Sequence, residues 1–386
     1  MPRKNNVKEL VAAHTARVMA AARVKPFQPL AVNGTVPTGC TMLNLAASGN
    51  ARGGWQAGAI VHGVGDSDTG KSALALTTLA ECSINRRFAK YDLIKDDPES
   101  SCSFPIAEMF GADLARRMKA PHSGEASYFI EDFYFGVYGR LKAGTPFIYV
   151  LDSMDGLESI AGTEKFEDNA KLRARGKEMK GSYGDGKAKV NSENMRKIKL
   201  ALAKTSSLLF IVSQTRDNIN PDTMAEKTHA AGRALKFYSQ YQFWMAPRGQ
   251  LTKSIKGKQV QCGTLARVKF SKNHATGKHL DFVLPFYYGY GIDDEQCTIR
   301  WMIAPESGAP WKLSAGVLTT RGEDGLPKTC PVSEYTKRVR SDAAFREAYL
   351  DAVQSAWDEY ESKLRRPGRY SGAVEDGDAA AYGDGE

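Results

Sequence analysis

Gly63-Val64-Gly65-Asp66-Ser67-Asp68-Thr69-Gly70-Lys71-Ser72, "GVGDSDTGKS", follows the apolar run "GAIVH" and precedes "ALALTTLAEC". Its last eight residues fit G-x-x-x-x-G-K-[ST], and the flanks predict a buried strand running into a glycine loop and a helix leaving it. In such a loop the glycines let the backbone curl until its N–H groups face one point, and the helix N-terminus adds a positive end there. The spacing brings Lys71 within reach of β- and γ-phosphates and the Ser72 hydroxyl within reach of Mg²⁺. Gly65, Asp66, Ser67, Asp68, Thr69, Gly70, Lys71 and Ser72 are therefore expected to hold a nucleoside triphosphate.

Further along, "FIYVLDSMDGL" (147–157) and "SLLFIVSQT" (207–215) are apolar runs of strand length that end in polar residues. "GTLARVKFSKNH" and "HLDFVLPFYYGYGI" predict two further strands. Strands alternating with helical segments indicate an α/β fold around a largely parallel sheet. Asp152, at the end of "FIYVLD", suits a carboxylate that holds the metal directly or through water. Hydrolysis also needs a group that orients or deprotonates the attacking water. "LIKDDPES" offers Asp96, Asp97 and Glu99, and pattern alone does not choose among them or separate them from a solvated acidic turn.

The 386 residues, 42% hydrophobic, suffice for one large domain with appendages or for two domains. A formal charge of +9 is compatible with nucleic acid without requiring it. Six scattered cysteines, with no C-x-x-C pair, argue against structural zinc and against a secreted disulfide framework. No run of 18 apolar residues and no signal-peptide core occur, so a soluble chain in a reducing compartment, with no membrane partner, is expected.

Residues 5–22 place Val7, Leu10, Val11, His14 and Val18 at helical spacing, consistent with a packed helix or with an arm that docks on a neighbouring subunit. The stretch 161–199 carries eleven Lys or Arg, six acids and a Gly-rich centre. Past residue 300, Phe345, Tyr349, Val353, Trp357, Tyr360 and Leu364 form one helical stripe, read as packing on a small C-terminal domain. The last fourteen residues hold five acids and no base and read as disordered.

In this order and with these gaps, the pieces resemble the RecA-type recombinases, including the phage UvsX branch, over roughly residues 35–295. The most specific match is "LLFIVSQTRDNINPDTMAEKTHAAGRALKFYSQ", which is similar to the family's Asn-Gln-x-Arg strand end, second DNA loop and following G-x-A-L-K-F-Y. The resemblance implies a RecA-like P-loop ATPase core with a largely parallel central sheet flanked by helices. An N-terminal helix and linker (1–32) would precede the core (33–300). A divergent, partly helical region (301–370) and an acidic tail (371–386) would follow it.

By the same resemblance, Glu99 falls where the family keeps its catalytic glutamate, Asp152 in the Walker-B segment, and Gln214 where the family senses the γ-phosphate. Phe104 is the nearest candidate to stack on adenine. Lys272 and His274 match basic residues that complete the ATP site of a neighbouring protomer, although family members usually carry lysine at both. A neutral imidazole donates one hydrogen bond and no charge. Lys236 and Phe237 match interface residues.

The family's first DNA loop corresponds to 161–199, with Lys177, Lys180, Lys187 and Lys189 near its tip, where backbone phosphates would be attracted without sequence readout. The second, 216–231, keeps Arg216 and Ile219, the latter placed to wedge between base steps. It is less basic than the family leads one to expect, and it has Thr223 and Met224 where an aromatic is expected.

The resulting expectation is a DNA-dependent ATPase using ATP and Mg²⁺. It would form helical filaments on single-stranded DNA and promote pairing with homologous duplex DNA, with single-strand-binding or mediator proteins as further partners. Its expected location is the cytoplasm of a bacterium or a phage-infected host. Two rivals share the motifs: a ring-forming motor such as a DnaB-like helicase, and a scaffold that uses ATP only as a switch.

Overall fold

The computed structural model describes residues 34–175, 186–217, 227–229, 232–322 and 325–366. The expected N-terminal helix and linker, Lys177, Lys180, Ile219 and the acidic tail lie outside these residues.

Two short strands, β1 (Thr35–Val36) and β2 (Trp55–Gln56), pair antiparallel. The central sheet contains β3 (Ile60–Gly65), β4 (Asp92–Asp96), β5 (Met118–Lys119), β6 (Phe147–Leu151), β7 (Leu208–Asp217), β8 (Lys227–His229), β9 (Tyr241–Ile255), β10 (Lys258–Asn273), β11 (Asp281–Tyr287) and β12 (Gly291–Ile292). Its order is β12-β11-β10-β9-β3-β7-β6-β4-β5, with β8 paired to β7. From β9 to β5 every neighbour is parallel. An antiparallel extension, β10 to β12, closes the other side. The α/β architecture with a mostly parallel sheet matches the expectation from sequence.

The parallel strands are apolar along their length because both faces are covered. In β6, Ile148 and Val150 face one core while Phe147, Tyr149 and Leu151 face the other. In β7, Leu208, Phe210 and Val212 alternate in the same way with Leu209 and Ile211. On one side the sheet packs against helices Thr41–Ser48 and Lys71–Ile84, and on the other against Ile130–Ala143, Gly186–Thr205 and Gly232–Tyr238. The C-terminal ends of β3, β4, β6 and β7 therefore open at one edge, where open α/β sheets place their ligands.

Two local features differ from the sequence expectation. The charged stretch 161–199 is mostly two helices, Ile160–Ala174 and Gly186–Thr205, which flank residues 176–185. The second is anchored by buried Met195, Ile198 and Leu202, and Tyr134 Oη donates to Asn191 Oδ1 at 2.6 Å. The first buries no residue completely, which is why its composition reads as a solvated segment. Strand β9 was not anticipated as half of a long hairpin. Its outer half is exposed, so it lacks the apolar alternation that marks a strand, and the turn at Lys256 (φ 49°) and Gly257 (φ 80°) uses two positive-φ residues.

Beyond residue 300 come a small sheet, β13 (Lys312–Ser314), β14 (Val317–Thr319) and β15 (Thr329–Pro331), and two helices, Val332–Ser341 and Ala343–Leu364. Phe345, Tyr349, Val353 and Trp357 of the predicted stripe are buried, Tyr360 is half-buried, and Leu364 is exposed past the end of the contact. Trp301 meets Trp357 with ring centroids 5.4 Å apart, so this region shares the larger core. No described helix is long and apolar enough to cross a membrane.

Candidate active site

The phosphate loop leaves β3 at Gly65 and enters helix Lys71–Ile84, as its spacing requires. Gly70 has φ +87°, and a Cβ there would come within 2.6 Å of the Phe286 ring, so both conformation and space demand glycine. Asp66 O accepts hydrogen bonds from Thr69 Oγ1 at 2.8 Å and from Lys71 Nζ at 2.5 Å, which closes the loop on itself. Burial pulls the Lys71 ammonium below its ordinary pKa, against the opposing pull of Asp152, Asp66, Asp155 and Asp68. A site so rich in carboxylates accepts a polyphosphate only with added positive charge.

A cleft of about 460 Å³ joins Ser67, Asp68, Thr69, Gly70, Lys71 and Ser72 to Glu99, Phe104, Asp152, Ser153 and Gln214. The three acids that sequence could not rank are separated here by their partners. Asp96 is fully buried and accepts from Ser127 N, Ser127 Oγ and Tyr149 Oη at 2.8, 2.6 and 2.6 Å, so its role is structural. Asp97 pairs with Lys95 at 2.7 Å and accepts from Ser101 N and Cys102 N. Glu99 faces the cleft, where Ser153 Oγ donates to its Oε1 at 2.6 Å and Gln214 Nε2 lies 3.5 Å from its Oε2.

Asp152 immediately follows β6, and its peptide bond to Ser153 is cis. Burial pushes its carboxyl above the usual carboxylate range, opposed by the Ser72 hydroxyl and the Lys95 ammonium. Its Oδ2 is buried without a hydrogen-bond partner in the protein. An orphaned carboxylate oxygen beside a hydroxyl fits a hard cation such as Mg²⁺. Ser153 and Asp155 were not anticipated from sequence. Asp155 Oδ2 accepts from Gln214 N at 2.8 Å and so holds β7 at Gln214. The only signal for either was a polar residue just past a buried strand.

Lys272 and His274 are not at their own phosphate loop. Lys272 Nζ donates at 2.8 Å to the carbonyls of Lys236 and Phe237, at the C-terminus of helix Gly232–Tyr238. His274 is exposed, and burial with the nearby Lys272 and Lys199 charges depresses its pKa below the usual histidine value. Lys199 Nζ is buried without a hydrogen-bond partner. Lys236 and Phe237 are exposed, Phe237 by 73%.

Of the DNA-facing candidates, Lys189 is exposed on helix Gly186–Thr205, and Lys187 Nζ donates to Asp155 O at 3.4 Å. Arg216 lies in β7, opposite Thr228 of β8.

Residues 28–293 match the model of a family described as the RecA N-terminal domain. Protein RecA of Thermus thermophilus is 27% identical over 263 residues, covering 67% of this chain and 68% of that protein. Protein RecA of Symbiobacterium thermophilum is 25% identical over 289 residues, covering 75% and 74%. That of Chlorobaculum tepidum is 28% identical over 245 residues, covering 62% of each. With the family match spanning more than half of its residues, and with the phosphate loop, Asp152, Glu99 and Gln214 gathered in one cleft, this chain belongs to the RecA family.

Proposed function

We propose that this protein is a DNA-dependent ATPase that assembles on single-stranded DNA and promotes its pairing and strand exchange with homologous duplex DNA, in recombination and repair. The observation that carries this reading is the position of Gln214. Its side chain reaches Glu99 in the cleft while its strand, β7, leads directly into the second loop. One residue thus contacts the candidate water-activating group and lies two positions before the segment proposed to grip DNA.

In this reading Lys71 and the loop N–H groups bind the β- and γ-phosphates of ATP. Mg²⁺, held by Ser72 and Asp152, supplies charge neutralisation when bound. Glu99 accepts a proton from the attacking water, held in place by Ser153 Oγ. Gln214 shifts its hydrogen bond from Glu99 toward the γ-phosphate and moves the end of β7 with it. Lys272, with Lys199 and Lys236 nearby, presents positive charge that a second copy's nucleotide would meet, as an arginine finger does, while His274, its pKa depressed, adds a hydrogen-bond donor without charge. Exposed Phe135, Tyr138 and Phe237 support self-association.

The test is ATP turnover with and without single-stranded DNA, in the full chain and in Glu99→Gln. Stimulation by DNA that Glu99→Gln abolishes is expected. Turnover that ignores DNA would overturn the reading in favour of a nucleotide-driven switch with another partner.

A further inference from the structure

Gly65 of β3 and Gln214 of β7 are register partners in the parallel sheet. The residues that follow them, Asp66 and Thr215, are joined by a hydrogen bond from Thr215 Oγ1 to Asp66 Oδ1. Because side chains alternate along a strand, Gln214 and Thr215 point to opposite faces. Gln214 reaches Glu99 and Thr215 reaches the phosphate loop, so β7 has two separate connections to the site. Thr215 also pairs with His229 at the base of the β7–β8 hairpin, whose strands bracket residues 218–226.

Asp66 is where the second of these connections meets the phosphate loop. Its carbonyl holds Lys71 Nζ and Thr69 Oγ1, and its carboxylate attracts Lys71 electrostatically while accepting from Thr215. A phosphate drawn to Lys71 competes with Asp66 O for the ammonium protons. Any shift of Asp66 is then passed to Thr215 through a charge-assisted hydrogen bond, the stronger class of such bonds.

We propose that Thr215 is a positioning residue which, through Asp66, transmits phosphate binding at Lys71 to the β7–β8 hairpin, in parallel with the Gln214–Glu99 contact. The proposal rests on the reading that nucleotide and single-stranded DNA are coupled in this chain. It adds a second, side-chain-specific route for that coupling.

Thr215→Val keeps the shape and strand preference of the side chain and removes only the hydroxyl donor. Two quantities are measured in the full chain: ATP turnover with and without oligo(dT), and oligo(dT) affinity with a non-hydrolysable ATP analogue against ADP. In Thr215→Val, turnover without DNA should stay within about twofold of the parent. Stimulation by DNA and the analogue-to-ADP affinity ratio should each fall by about five- to tenfold. Thr215→Ser, which restores the hydroxyl, should recover both. Asp66→Ala combined with Thr215→Val should lower the affinity ratio no further than Asp66→Ala alone.

A parent protein that responds to DNA, beside a folded Thr215→Val variant with unchanged stimulation and affinity ratio, overturns the connection and leaves the functional reading intact. The same holds for additive losses in the double variant. A parent protein whose turnover and nucleotide preference ignore DNA overturns the functional reading, and this proposal with it.

Discussion

Lys272 of β10 stands level with His62 of β3, three residues before Gly65, where the loop to Lys71 begins. Lys272 pairs with Gln242 near the start of β9, whereas Gly65, which opens the loop to Lys71, pairs with Met245 further along that strand. Three strand residues are about 10 Å, and the phosphate loop runs on beyond them. The proposed role of Lys272 is therefore toward a phosphate on another copy of the chain. Lys71→Ala and Lys272→Ala should each lose turnover by about 10²-fold or more. Mixed in equal amounts they should regain up to roughly a quarter of the parent rate, because one interface in four then pairs an intact loop with an intact Lys272. A mixture no faster than its components would argue against a shared site.

Ser153 Oγ donates to Glu99 and also accepts from Asp155 N at 3.3 Å, and its effect on turnover should come through Glu99. Removing its hydroxyl frees Oε1 of a carboxylate that must face water in one orientation. Ser153→Ala should lower kcat by about tenfold with KM nearly unchanged, while Glu99→Gln should lower it by about 10²-fold or more. A parallel rise in KM would mean that Ser153 shapes nucleotide binding instead.

Gly70→Ala combines a strained φ with a Cβ directed at Phe286. It should destabilise the fold by roughly 1–3 kcal/mol in denaturant unfolding. Adding Phe286→Leu should return the steric part of that loss and leave the conformational part. If Phe286→Leu returns nothing, the ring is not the obstacle.

Asp294 sits half-buried where helix Asp294–Met302 meets helix Thr41–Ser48, accepting from Thr41 N at 2.6 Å and Thr41 Oγ1 at 2.7 Å. Burial first, and then Glu295 and Glu81, push its pKa up to about 7, despite the two bonds from Thr41. A raised acid binds its proton more tightly in the folded chain than in the unfolded one. Its stabilising share is thus complete below about pH 4 and lost as pH rises toward 7. Asp294→Asn should flatten that part of the stability profile and be about 1–3 kcal/mol more stable than the parent at pH 8. An unchanged slope between pH 4 and 7 would assign the dependence to other groups.

The order of the parts was legible in the sequence because each carries a local signal. The phosphate loop needs glycines at fixed spacing, β6 and β7 announce themselves as apolar runs covered on both faces, and helix Ala343–Leu364 shows its buried stripe directly. Helix Ile160–Ala174 and the outer half of β9 were not legible, since neither buries a face that would pattern the residues.

Which of Asp96, Asp97 and Glu99 faces the cleft depends on hydrogen bonds from Tyr149, Ser127 and Ser153, residues distant in the chain. The separation of Lys272 from Lys71 depends on strand direction, and the Asp66–Thr215 bond on the register of β3 against β7. Local chemistry chose the elements of this protein. Only the pairing of those elements in space decided which side chains share a site.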